Sequence, residues 1–397
     1  MNIFNLLVLL LSLVFLLPLF HLYLLLAGSM MPRSTPPETD RRSRLAIAIP
    51  AHNEEDVIVQ TISTLLHSNY PTDNFDIFVV ADHCTDSTAK IAKEAGAITF
   101  ERNEGKSGSK GYALSWLFDK IFSFSRKYDA VVIFDADSRV DSDFFVWINR
   151  YLQKGYHAIQ GNHIIINPTD GWFPALTYAM FLIDNRFQNL GRDNLGFSAK
   201  NMGDGFCVST RLIQDLGAGE GLTEDLDLRM RLILSGEIIH YAPEAKSYGQ
   251  APWSWKIAQK QRARWLKGNA EIRKRYFQKL LIKGLQYQKP SVLEATVSSI
   301  FPSYSSLSLL SVAILCLNII FHRFISPIHL VYWGIYLTLL VIYPIWGLWL
   351  EKAPLKAYLV IFTGPVFMVW RTWLGIVSRL RPVVWIRTPH RKSLDKG

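Results

Sequence analysis

Cysteine is nearly absent: Cys84, Cys207 and Cys316 are the only three in 397 residues, odd in number and widely spaced. That excludes a disulfide scaffold and a paired C-x-x-C zinc site, and it points to a reducing compartment. Charge is also thin, at 19% of residues, and the 33 acidic side chains are outnumbered by 43 basic ones, leaving a formal +10. With 49% hydrophobic residues the chain is too apolar for disorder, and its length suggests about two to three domains. Missing too is a G-x-G-x-x-G after the first strand-like run, which excludes a dinucleotide fingerprint. Gly105-Lys106-Ser107 ends like a phosphate-binding P-loop, but Phe100 stands where that motif needs its first glycine. There is no internal repeat and no low-complexity segment.

What is present begins with an uncharged stretch from Met1 to Pro32, Leu/Phe/Val-rich over residues 3–27. A bilayer crossing needs about 20 apolar residues, so this reads as a span. It is longer than a signal-peptide core of about 7–15 residues and lacks the basic start and small-residue exit. Two more uncharged stretches, Ala295–His322 and Phe324–Leu350, are separated by Arg323 and the turn residues Ser326 and Pro327, which predicts a transmembrane hairpin. The next apolar stretch, Ala357–Trp370, has only 14 residues before Arg371, predicting an interfacial or re-entrant helix. Arg33, Arg41, Arg42 and Arg44 follow the first span, so the positive-inside rule places the middle of the chain in the cytoplasm. Two further crossings bring the tail back there, where residues 371–397 hold seven basic side chains and one acidic. The expectation is an integral plasma (inner) membrane protein.

Residues 45 to about 245 alternate short β-branched runs with helical patterns, the signature of an α/β domain with a largely parallel sheet. Leu45–Ile49, Ile77–Val80 and Ala130–Phe134 are the clearest buried strands. Helices are expected over Glu54–His67, about Asp86–Ala95 and Ser107 to about Phe124. The boundaries implied are 1–32 for the first span, 33–44 for a basic linker and 45–250 for the catalytic domain. Amphipathic interfacial helices then fill 251–290, the hairpin 291–350, and the last helix with its basic tail 351–397.

Ligands in such sheets bind at the carboxyl ends of strands. After the first strand comes Pro50-Ala51-His52-Asn53-Glu54-Glu55, where Asn53 is a candidate helix cap with Glu54 and Glu55 in the first turn, or a ligand-binding loop. After the second, Asp82 opens Asp82-His83-Cys84-Thr85-Asp86-Ser87-Thr88; Thr85 or Asp86 suffices as a cap, leaving Asp82 free to contact a base or ribose. Asp135-Ala136-Asp137 follows Val131-Val132-Ile133-Phe134. In extended chain both carboxylates point one way, a donor set suited to Mg²⁺ or Mn²⁺ completed by phosphates and water. Thr223-Glu224-Asp225 opens an apolar helical stripe, so Thr223 is a plausible N-cap, and the two acids either complement the helix dipole or supply a general base. Gln261, Arg264 and Trp265 of Gln261-Arg262-Ala263-Arg264-Trp265 share a helix face by i, i+3, i+4 spacing. Arginine suits a diphosphate and indole suits a sugar ring, while the whole segment 256–283 equally reads as an amphipathic helix on anionic lipid.

In this order, P-A-H-N-E-E, a lone Asp after strand two, D-A-D, T-E-D and Q-R-A-R-W resemble the inverting family 2 glycosyltransferases of the GT-A fold, especially the membrane-embedded cellulose, chitin, hyaluronan and poly-N-acetylglucosamine synthases. The resemblance covers roughly residues 45–280 and the flanking spans. It implies a GT-A catalytic domain with a Rossmann-like, mostly parallel sheet, in which Pro50, Ala51, Asn53, Glu55 and Asp82 hold the nucleoside and Lys106 or Lys110 lies near the donor. Asp135 would face the nucleoside diphosphate and Asp137 would join it on the metal. Asp225 would be the catalytic base, with Glu224 beside it, and Gln261, Arg264 and Trp265 would bind diphosphate and acceptor. Gly203-Asp204-Gly205-Phe206-Cys207 stands at the acceptor-contacting loop but departs from the cellulose-synthase wording.

The implied partners are a nucleotide-sugar donor, a UDP-sugar by preference, membrane lipid, and a growing polysaccharide or a lipid-linked acceptor. A polymer path through so few crossings implies oligomerisation or an export partner. An inactive membrane-bound binding module is the alternative outside the enzyme class. Nucleic acid is not expected, because the basic residues lie beside the predicted membrane. Residues 33–44, 256–283 and 371–397 carry net charges of +2, +9 and +6, against −9 over 45–255.

Overall fold

The short aliphatic runs assemble into one eight-stranded sheet in the computed structural model, which describes residues 3–380. The strands are β1 Leu45–Ala51, β2 Phe75–Asp82, β3 Ile98–Arg102, β4 Ala130–Ile133, β5 Arg139–Val140, β6 Ala158–Ile165, β7 Phe206–Ser209 and β8 His240–Gly249. Their order is β3-β2-β1-β4-β7-β6-β8-β5, with the first four parallel and β7 antiparallel to both its neighbours. Side chains alternate between faces along a strand. Leu45, Ile47 and Ile49 of β1 therefore enter a core with Ile58, Ile62, Phe144 and Phe145, while Ala46 and Ala48 face Leu114, Leu117 and Phe118. Chain direction from β1 diverges to β2 on one side and β4 on the other, and such a switch point opens a crevice beyond the strand ends.

The predicted strands match β1, β2 and β4, and the helices are shorter than expected. Helix Ile58–Leu66 starts four residues past Glu54, Thr88–Glu94 starts two past Asp86, and Lys110–Ser123 starts three past Ser107. In each case the residues ahead of the helix form the strand-end loop.

The apolar helices depart from the sequence expectation in two places. The stretch Ala295–His322 is not one rod: helices Pro290–Ile300 and Tyr304–Ile320 meet at a 51° bend. Pro302 explains the break, since it has no N–H to donate and disfavours helix in the residue before it; Ser303 then caps the second helix by accepting the Ser306 N–H. The last apolar segment continues through Arg371 as a 26-residue helix, Leu355–Leu380, which removes the length argument for a merely interfacial placement. By length and composition three helices could cross a membrane, Ile3–Ser29, Pro327–Leu350 and Leu355–Leu380, with the bent pair a possible fourth. Most of the basic tail lies outside the described residues. The 251–290 segment is mainly one helix, Trp255–Tyr287.

The first helix docks onto a π-helical turn, Asp184–Gly191, through backbone contact. A Cβ on Gly191 would lie 2.1 Å from the Leu25 carbonyl oxygen. Nearby, buried Glu294 accepts from Arg192 Nε at 3.0 Å and pairs with His21 at 2.9 Å, so three distant segments share one carboxylate. Arg33, just past the first helix, binds Asp193 at 2.9 Å and the Tyr241 carbonyl at 2.7 Å.

Gly191→Ala is expected to cost about 1–3 kcal/mol of stability through this overpacking. Gly334→Ala, inside a helix with open space around it, should cost nothing and can gain up to about 1 kcal/mol from helix propensity. Thermal unfolding of both in detergent tests the docking; equal midpoints would refute it.

Candidate active site

The loops after β1 and β2 are laced together. Asn53, in the left-handed region at φ 56°, accepts the Thr85 N–H on its side-chain oxygen at 2.7 Å. Glu55 accepts the Ser87 N–H at 2.9 Å, and the Glu54 N–H reaches Thr88 Oγ1 at 2.8 Å. Asn53 is therefore not the cap of the following helix, whose N-cap is Val57, and Glu54 and Glu55 lie ahead of its first turn. The cap reading fails because the neighbouring loop offers those side chains N–H groups that the local chain does not. Pro50 and Ala51 close β1 in register with Val80 and Ala81.

Asp82 is not free either. It is buried, and its Oδ1 takes the Arg102 guanidinium from the end of β3 and contacts His83. The same guanidinium donates to the Lys106 carbonyl at 2.7 Å, tying β2 to the loop that precedes helix Lys110–Ser123. Lys106 is exposed on that loop, whereas Lys110 turns inward.

β4 ends at Ile133, Phe134 still bonds Ala48, and Asp135–Ser138 then form a turn rather than extended chain. Asp135 and Asp137, both half-buried, flank buried Ala136, whose carbonyl accepts Thr61 Oγ1 at 2.7 Å. Lys110 Nζ bridges Asp135 Oδ1 at 2.5 Å and the Gly203 carbonyl at 2.6 Å. Burial alone would lower the Lys110 pKa, but Asp135 and Glu224 outweigh it and hold the ammonium well above its ordinary value.

Beneath this turn sits Asp204, which sequence reasoning placed only in an acceptor loop. It is 1% exposed, and it accepts the Asp135 N–H at 3.0 Å, Ser247 Oγ at 2.7 Å and the Ser138 hydroxyl, and pairs with His163 Nδ1 at 2.7 Å. Burial would raise its pKa, yet His163, Ser138 and the Asp135 N–H hold it down at about 2. Gly203 and Gly205 flank it at φ 79° and 61°, a conformation that strongly favours glycine. That glycine–acid–glycine pattern was the signal available in the sequence.

Opposite the turn, helix Glu224–Ser235 presents Glu224 and Asp225. Burial, then the neighbouring Asp225, pushes the Glu224 pKa up to about 7 against the pull of Lys110 and Arg264. Burial raises Asp225 as well, although the Leu226 N–H, Lys110 and Arg264 favour its anion. Thr223 occupies the N-cap position without capping: its hydroxyl packs on Gly268, where a Cβ would lie 2.6 Å from Oγ1. This close approach seats helix Trp255–Tyr287 over the two acids. Buried Asp227 locks the pair of helices, binding Arg231 at 2.7 Å, Arg275 at 3.0 Å and Tyr276 at 2.9 Å. Gln261, Arg264 and Trp265 lie half-buried on the long helix; Arg264 acts electrostatically on both acids, and its Nε has no partner.

The structure thus brings Lys110, Asp135, Glu224, Asp225 and Arg264 together at the switch-point crevice. Asn53, Glu55 and Asp82 instead hold the adjoining loops, and the Lys106 side chain lies outside. Among the described residues no three His, Cys, Asp or Glu side chains form a cation cage. Asp135 and Asp137 still fit Mg²⁺ or Mn²⁺, because such an ion takes one or two carboxylates and finds its remaining ligands in water and phosphate.

A family model for "Glycosyltransferase like family 2" matches residues 42–268, which contain all of these groups. The chain belongs to glycosyltransferase family 2. This transferase is 27% identical over 281 residues to the probable glycosyltransferase YdaM of Bacillus subtilis, covering 66% of this chain and 65% of that one. It is 24% identical to the β-monoglucosyldiacylglycerol synthase of Synechocystis, over 89% of this chain and 76% of the relative. A shorter match, to the synthase of that name from Nostoc, is 28% identical over 48% of this chain and spans 41% of the relative's length. Among solved structures, the mannosyltransferase PcManGT from Pyrobaculum calidifontis, in complex with GDP-Man and Mn²⁺, superposes with a TM-score of 0.58. Coverage is 96% of this chain and 95% of that one at 16% identity, which establishes the GT-A fold expected from the sequence.

Asp204→Asn removes a buried charge from its partners, so a loss on the order of 3–5 kcal/mol is expected. Denaturant unfolding monitored by circular dichroism measures it; a change under 1 kcal/mol would contradict the role of Asp204 as the support of the Asp135–Ser138 turn.

Proposed function

We propose that this transferase moves a sugar from a nucleotide donor, a UDP-sugar by preference, to a hydroxyl of an acceptor at a membrane, inverting the anomeric carbon. The observation that carries this reading is the half-buried Glu224–Asp225 pair facing Lys110, Asp135 and Arg264 across one crevice. Asp225 accepts the proton of the attacking hydroxyl, and Glu224, poised near neutrality, tunes its basicity. Arg264 and Lys110 lie where charge develops on the leaving diphosphate. Asp135 and Asp137 would hold Mg²⁺ or Mn²⁺, which supplies Lewis-acid neutralisation of that diphosphate. No covalent intermediate is needed, since attack comes from the face opposite the leaving group.

The basic residues flanking the apolar helices support a cytoplasmic catalytic domain with the C-terminal tail on the same side. The acceptor is read first as a growing polysaccharide, as the name of the poly-β-1,6-N-acetyl-D-glucosamine synthase of Staphylococcus aureus suggests, 26% identical over 60% of this chain. Single addition to a lipid is the second reading, favoured by the glucosyldiacylglycerol synthase match, which extends over 89% of the chain. Product length with radiolabelled donor separates them: a ladder supports the polymer, a single product the lipid.

Asp225→Asn should lower transfer at least about a hundredfold while leaving nucleotide binding intact; retained turnover would sink the assignment. Because the acid pair must be anionic to accept a proton, the rate should rise with pH through about 7, an apparent value belonging to the pair. Glu224→Gln should shift that limb downward; an unmoved pH profile would exclude Glu224 from the step.

A further inference from the structure

Residues two apart on a helix point to nearly opposite sides. While Arg264 faces the acids, Arg262 enters the packing between helix Trp172–Ile183 and helix Leu355–Leu380. Its guanidinium carbon lies 5.9 Å from the Phe173 ring centre and 4.8 Å from that of Trp265. The residue is 8% exposed, its Nε has no hydrogen-bond partner, and it forms no ion pair among the described residues. Burial, then like-signed Arg371, holds its pKa down to about 10, with Asp184 the one acid acting on it. Asp184 is already bonded to Lys200 at 2.9 Å, and Arg371 finds only the Ser305 hydroxyl at 3.3 Å.

Arg262, Arg371 and Lys200 thus all draw on Asp184, which is bonded to Lys200 alone, and the buried Arg262 guanidinium keeps its Nε–H unspent. Burying a charge without a partner is costly. The fork of N–H groups on arginine matches phosphate oxygens bidentately. The rim is aromatic and half in solvent: Trp172 is 43% exposed and Trp255 38%, and Trp370 lies against Trp255 with ring centres 4.2 Å apart. Tryptophans of this kind sit at the level of lipid headgroups. We propose that Arg262, Arg371 and Lys200 form an anion site, separate from the donor crevice, that takes the phosphate of an amphiphile lying in the membrane, with Phe173, Trp255 and Trp370 against its apolar stem.

The full chain in neutral maltoside micelles tests this, with dodecyl phosphate as probe, inorganic phosphate as the free-anion arm and tryptophan fluorescence as the readout. Saturable binding of dodecyl phosphate is expected, at least tenfold tighter than inorganic phosphate and weakened tenfold or more by Arg262→Gln and by Arg371→Gln. UDP binding should not change in either variant, and no sugar transfer enters the measurement, so it stands apart from the proposed reaction. If Arg262→Gln fails to fold, Lys200→Gln, at a partly exposed position, carries the comparison. Equal affinity for inorganic phosphate would assign the site to a soluble anion and overturn the membrane source. Absent binding, or binding indifferent to every variant, would overturn the site itself.

Discussion

A carboxylate removed from water is the constraint on which the catalytic end of this molecule depends. Asp204 lies under the strand-end turn, and its two oxygens must be satisfied from inside the protein. His163 from β6, Ser247 from β8, and Ser138 and the Asp135 N–H from the turn after β4 do so. One buried charge thus gathers three strands and fixes the backbone from which Asp135 and Asp137 project. Lys110, spanning from Asp135 to the residue before Asp204, closes the arrangement from the opposite wall. A second buried acid, Asp227, does comparable work for the helices that carry Glu224, Asp225 and Arg264. Both walls of the crevice are therefore set by internal electrostatics rather than by apolar packing alone.

Much of this was legible in the sequence. The strands were readable because buried parallel strands are continuous apolar runs, and the acids after β4 and at Glu224–Asp225 stand where such sheets expose polar groups. The capping roles of Asn53 and Thr223 were misread for a physical reason. A cap is a local bond, but Asn53 found its partner 32 residues away, and Thr223 was covered by a helix that begins 32 residues later. The Arg102 partner of Asp82 was equally out of reach, because only the pairing of β2 with β3 brings it there. Asp204 was the largest omission; its partners lie 41 to 69 residues distant, beyond any periodicity argument. The break at Pro302, by contrast, was written in the local sequence.

The regional charge pattern takes on a structural meaning. Three basic side chains of helix Trp255–Tyr287 reach back into the protein, Arg275 to Asp227, Lys283 to the Leu234 carbonyl and Arg262 into aromatic packing, while Lys256, Lys260, Arg273, Lys274 and Lys279 stay exposed. The helix thus clamps the catalytic domain with one set of basic side chains and keeps another set exposed.

The contact of Leu25 with Gly191 has a temporal side. These residues are separated by 166 positions. At a synthesis rate of about 5–20 residues per second, the first helix exists for roughly 8–30 s before its docking surface has left the ribosome. The element made first is completed only once later chain has arrived, so docking of the first helix onto the catalytic domain comes late in the molecule's biogenesis.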